Sequence, residues 1–139
     1  MKIIVGERWN QERHPTIERW LRSLLLGEWT PERYVKLMTR LGAFEERAVE
    51  RLARLGVTWD AAMNLMPPGP QQHAIQMSTM RGVGGLVSPV LEAQYDVVYL
   101  AGRRVAESFG LRKVPYNVAY GKLIVVPHPS GLNRMWNEI

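Results

Sequence analysis

Cysteine is absent from this chain of 139 residues. Disulfides, thiolate catalysis, iron–sulfur clusters and all-cysteine zinc sites are therefore excluded. Histidine is scarce, at three residues, and His14 and His73 stand apart from each other and from acidic pairs. No metal-ligand spacing results, and neither a metal nor an organic cofactor is expected. No apolar run approaches the roughly 20 residues that a membrane-spanning helix needs. The opening Met1-Lys2-Ile3-Ile4-Val5-Gly6 has no small-residue cleavage site and does not read as a secretory signal. A cytoplasmic monomer with no membrane partner is the expectation. Acidic residues are also in the minority: 13 against 18 basic ones, for a net charge of +5. Only four of the basic residues are Lys and 14 are Arg, whose planar fork suits phosphate. A nucleic-acid partner is thus permitted, though the charge alone does not establish one.

What is present is an ordinary globular composition, 46% hydrophobic and 22% charged, in a length that suits a single domain, residues 1–139. Four short apolar runs read as strands: residues 2–5, 60–65, 96–101 and 122–126. They are nearly continuous rather than alternating, the pattern of strands covered on both faces in a parallel sheet. Helical spacing appears between them. Residues 16–26 place Ile17, Trp20, Leu21, Leu24 and Leu25 on one face. Thr30-Pro31-Glu32 supplies an N-cap and a first-turn proline for a helix to residue 41. Residues 44–55 repeat apolar positions up to Gly56, and their charges read as a solvated face with local ion pairs. Ser88-Pro89 reads as the start of a short helix to residue 94, and residues 103–109 as another before Gly110. Residues 66–85 show weak periodicity and read as a long connection, a kind of loop that often carries function. Alternating strands and helices predict an α/β fold, a three-layer α/β/α sandwich with a four-stranded parallel sheet.

In such a sheet, ligands bind beyond the carboxyl ends of the strands. The first strand runs into Gly6-Glu7-Arg8-Trp9-Asn10 and the second ends at Asn64. The fourth runs into Pro127-His128-Pro129-Ser130-Gly131-Leu132-Asn133-Arg134. The third delivers Gly102-Arg103-Arg104, which reads as a helix-opening turn. One edge therefore collects a carboxylate, an amide, a histidine, a serine and arginine. His128 lies between two prolines that stiffen its backbone, so its ring is held where it can hydrogen-bond a ligand.

The run His128-Pro129-Ser130-Gly131-Leu132-Asn133-Arg134 resembles the second signature motif of the uracil-DNA glycosylase superfamily, which reads His/Asn-Pro-Ser-x-Leu in several branches. Gly6-Glu7 falls where that family places its first motif, and Asn64 where it commonly places an Asn after the second strand. The resemblance implies strand order 2-1-3-4 and hydrolysis of the N-glycosidic bond of a flipped uracil-like or modified pyrimidine in DNA, duplex or single-stranded. It also implies roles. His128 would donate to a base carbonyl and Leu132 would wedge into the stack as the base leaves. Ser130, with Gly131, Asn133 and Arg134 around it, would meet the DNA backbone. Asn64 can donate and accept, which suits a pyrimidine edge. Glu7 is the candidate to orient water or favour a sugar cation, and Trp9, with Arg8 and Asn10, would line the base site. The first motif departs from the family, since Arg8 follows Gly6-Glu7 where relatives continue Ala-Pro-Gly, and no residue matches the water-activating Asp of the uracil-specific type. The alternatives are a nucleic-acid or nucleotide-binding protein of the same fold without hydrolysis, and a base-modifying relative.

Overall fold

The computed structural model describes residues 1–7, 46–65 and 73–129. The helices expected over residues 16–26 and 30–41 lie outside them. Five strands form one sheet: β1 (Lys2–Gly6), β2 (Ala61–Asn64), β3 (Val97–Ala101), β4 (Ala119–Tyr120) and β5 (Leu123–Val126). Three helices accompany them among the described residues: α1 (Glu46–Arg54), α2 (His73–Gln94) and α3 (Arg103–Ser108).

The sheet order is β2-β1-β3-β5-β4. β1 pairs in parallel with β2 on one side and β3 on the other, and β3 pairs in parallel with β5. The chain is thus α/β, but its sheet corrects the expected four-stranded parallel sheet in order 2-1-3-4. An edge strand, β4, is added antiparallel to β5. The cause is local: Gly121 adopts φ +62° at the first position of a two-residue hairpin, where a positive φ is required. Gly-Lys is a weak turn signal and β4 has only two residues, too few to show any periodicity.

Burial follows the pleat. Ile3, Ile4 and Val5 of the interior strand β1 are all fully buried, which explains its unbroken apolar run. Ile3 and Val5 join Met63, Leu100 and Val125 in a cluster with Val83, Val87 and Leu91 of α2 and Val105 and Ala106 of α3. Ile4, one residue out of phase, joins Ala101, Val126 and Leu52 of α1 in a second cluster. Alternate residues of one strand therefore serve two cores.

Residues 73–94 are a single helix. This overturns both the long connection expected through residue 85 and the helix start at Ser88-Pro89; residues 66–72 lie outside the description. Gly82, Gly84, Gly85 and Pro89 depress helix propensity across this stretch. Val83, Val87 and Leu91, spaced at four residues and buried, override it through packing. Pro89 and Gly85 are both exposed, so the carbonyl that loses its helical partner to Pro89 has solvent available.

Gly84 shows why this helix needs a glycine. A Cβ there would stand 2.5 Å from the Ser108 backbone oxygen and 2.7 Å from its Oγ, whereas a Cβ on Gly85 meets nothing within 4 Å. Ser108 is itself buried, its hydroxyl donating to the Val105 carbonyl at 2.6 Å. Gly84→Ala is expected to destabilise the fold by about 1–3 kcal/mol through overpacking. Gly85→Ala is expected to stabilise it by up to about 1 kcal/mol through helix propensity. Urea denaturation of the two variants checks the contrast, and equal midpoints would remove the helix contact.

Candidate functional site

The carboxyl ends of β2, β1, β3 and β5 lie side by side along one sheet edge and carry, in that order, Asn64, Glu7, Gly102 and His128. The chain leaves β1 toward β2 on one side and returns to β3 on the other, so the topological switch falls between β1 and β3. That is where open α/β sheets hold ligands. Asn64 ends β2 in register with Gly6 of β1, one residue before Glu7.

His128 reaches the switch point from the far side of β3. Pro127 and Pro129 are both buried, so the histidine is held by two fixed φ angles seated in the protein. The turn is secured from α1, where Arg51 donates through Nη1 to the Pro129 carbonyl at 2.8 Å. From β3, the Gly102 amide donates to the Val126 carbonyl at 2.9 Å. Gly102 has φ +94°, and a Cβ on it would stand 3.1 Å from both Cβ and Cδ2 of His128. The imidazole thus occupies the space that a side chain at the end of β3 would take. Its Nε2 comes within 4.0 Å of Glu7 Oε1, two strands away in the sheet.

At 4.0 Å the two groups are neighbours rather than hydrogen-bond partners. The Glu7 side chain is only 13% exposed and that of His128 36%. Burial pushes the Glu7 carboxyl above its ordinary range, and the nearby Arg104 guanidinium partly offsets this. Burial also pushes His128 below its ordinary value, and Arg104 lowers it further. Desolvation disfavours the charged form of each. The pair is therefore a carboxyl biased toward protonation beside an imidazole biased toward neutrality. A neutral imidazole both donates and accepts, so the site can hydrogen-bond a leaving oxygen or nitrogen without carrying a full charge. The acid beside it can orient water or face a developing cation. Among the described residues no group of three His, Cys, Asp or Glu could hold a metal.

Of the residues expected at the site, Glu7 and His128 are brought together and Asn64 lies on the same edge. Arg8, Trp9, Asn10, Ser130, Gly131, Leu132, Asn133 and Arg134 lie outside the described residues. Three contributors were not singled out by the sequence. Gly102, expected as a packing turn, is the clearance for His128. Arg104, the second residue of α3, sets the local charge. Arg51, expected on a solvated face, reaches a backbone carbonyl beside the histidine. The signals that could have found the first two are a glycine directly after an apolar strand and the Arg pair that follows it.

No protein-family model matches this chain, and no curated protein matches it significantly.

Two measurements test this geometry. Replacing Arg104 by Gln removes a cation that disfavours proton uptake on His128 and favours proton loss from Glu7. Both pKa values should therefore rise, and NMR titration of the His128 ring should show its midpoint moving up. An unchanged midpoint would separate Arg104 from the site. Gly102→Ala forces a Cβ onto a φ of +94° and against the imidazole. A cost of roughly 1–3 kcal/mol is expected from the backbone strain, with a displaced His128 ring signal in the same spectrum.

Proposed function

We propose that this protein is a DNA glycosylase of the uracil-DNA glycosylase type, built as a three-layer α/β/α domain and hydrolysing the N-glycosidic bond of a flipped pyrimidine. The observation that carries this reading is the meeting of Glu7 and His128 across Gly102 at the switch point of the sheet. These two residues come from the segments that resemble the first and second motifs of that family. The reaction needs a group of this kind. As the C1′–N bond breaks, its electron pair passes to the base nitrogen and the sugar becomes cationic. A donor aimed at a base carbonyl oxygen stabilises the departing anion, and such a donor is worth several kcal/mol where water is excluded. His128, biased toward its neutral form, would supply that donor. Glu7 would face the sugar and orient the water whose oxygen bonds to C1′, in its ionised form also favouring the cation.

The remaining roles follow the resemblance, except that of Trp9, which rests on an aromatic ring placed three residues after Gly6. Asn64 would read the base edge, and Trp9 would stack on it. Leu132 would fill the gap left by the flipped nucleotide, and Ser130 and Arg134 would meet phosphates. A binding protein of the same fold without hydrolysis is the second reading. The burial that raises the Glu7 pKa favours it, because a carboxyl inclined to keep its proton is a poorer base for water.

A panel of oligonucleotides carrying uracil, 5-hydroxymethyluracil or mismatches, followed by alkaline cleavage of abasic sites, decides between the two. An abasic product from at least one substrate is expected. His128→Ala should then lower the single-turnover rate about 10²–10³-fold with a much smaller change in DNA affinity. Tight binding without abasic product would establish the second reading. A His128→Ala variant that turns over normally would overturn the site.

A further inference from the structure

The two arginines that open α3 are put to different uses. Arg104 acts on the Glu7–His128 pair. Arg103 turns to the segment between α3 and β4: its Nη1 donates to the Val114 carbonyl, and its guanidinium lies 4.0 Å from the centre of the Tyr116 ring. That segment runs beside the sheet, because the Asn117 amide donates to the Val125 carbonyl at 2.8 Å. Val125 is the next-to-last residue of β5, so Asn117 lies toward the same edge as His128. Leu111, Val114 and Tyr116 pack against the larger core. Arg112 and Lys113, set between those anchors, are exposed, and Lys113 adopts φ +52°. The segment is therefore a fixed platform with its cations outward.

The charge of this segment is of one sign. From Gly110 through Pro129 the sequence contains Arg112, Lys113 and Lys122 and no Asp or Glu. The acid nearest to it in the sequence is Glu107, exposed on α3. Arg103 and Tyr116 thus join the start of α3, which also carries Arg104, to the segment that exposes Arg112 and Lys113. Guanidinium groups pair with phosphate through two parallel hydrogen bonds, and a chain of phosphates is the partner with enough repeated charge for several such cations.

We propose that this platform, Arg103 with Arg112 and Lys113, binds the phosphodiester backbone of the nucleic-acid strand that flanks the nucleotide in the site. The inference rests on the nucleic-acid reading above for its ligand, and on the platform itself for its position. The strand leaves the site over the start of α3 and continues along the 112–117 segment. Arg103, stacked on Tyr116 and bonded to Val114, holds the segment's shape, while Arg112 and Lys113 supply phosphate contacts that carry no base preference.

Charge reversal tests it without requiring catalysis. Arg112→Glu and Lys113→Glu are compared with Lys122→Glu, which makes the same change in net charge at the opposite end of β5. The probe is a fluorescent single-stranded oligonucleotide with no damaged or deaminated base, titrated by anisotropy across a range of salt concentrations. Each platform substitution should weaken binding several-fold at low salt and reduce the slope of log affinity against log salt by roughly 0.7. Lys122→Glu should leave the slope unchanged. The neutral pair Arg112→Gln and Lys113→Gln should give the same slope change if charge reversal disturbs folding. Equal slopes for platform and control variants would overturn the proposal, as would a wild-type protein that binds no oligonucleotide. Failure of the glycosylase reading is separate: absence of abasic product with the slope changes intact leaves the platform standing. Abasic product formed by a protein whose slope ignores Arg112 and Lys113 leaves only the reaction.

Discussion

A missing side chain organises the site. Gly102 ends the strand between β1 and β5, and the space above its Cα is where the His128 ring lies. Any L side chain there would carry its Cβ to 3.1 Å from the imidazole and hold a left-handed φ as well. With glycine in place, two residues from strands that are not neighbours approach to 4.0 Å. The same glycine ties its amide to Val126 and accepts from the Ala106 amide at 3.1 Å, so it also joins β5 to the first turn of α3. The histidine, the helix that carries Arg104 and the end of the sheet are positioned by one residue that contributes no functional group.

Three arginines around that point illustrate how one residue type takes on distinct physical tasks. Arg51 serves as a donor to a backbone carbonyl and fixes the Pro129 turn. Arg104 acts through its field, opposing the burial effect on Glu7 and reinforcing it on His128. Arg103 stacks on an aromatic ring and caps a loop carbonyl. A lysine could reproduce the field of Arg104, but lacks the flat face for Tyr116 and the fixed fork. The Arg-rich composition is thus matched to geometry at two of these three positions.

How far the sequence could be read depended on where the deciding information lies. The strand β1 was legible because Ile3, Ile4 and Val5 are buried on both faces, and this leaves an apolar run in the chain itself. Residues 97–101 and 123–126 form apolar runs as well, although Val97, Tyr99 and Ile124 are only partly buried. The helix over residues 73–94 was not legible, since Gly82, Gly84, Gly85 and Pro89 argue against it locally. Its support comes from the core and from the close approach to Ser108. β4 was missed because two residues have no period. At the site, Glu7 and His128 were found from turn chemistry after apolar strands and from a short motif. Gly102 had only its place after an apolar strand to mark it, and Arg51 could not be assigned, because its role exists only in a contact with a residue distant in sequence.

The order in which the sheet is assembled has a consequence for the nascent chain. β1 is the first of the described strands in the sequence and lies inside the sheet, yet its two neighbours, β2 and β3, come much later. During synthesis an apolar strand with both edges unpaired must wait for its partners, a state prone to pairing with other chains. The histidine arrives later still, after β5. A ribosome-bound chain that has finished β1 carries Glu7 but no His128, and the pair of groups exists only once the last described strand has docked. Contacts of such long sequence separation also slow folding. A truncated chain that lacks β5 is left with an open edge on β3 and without the pair.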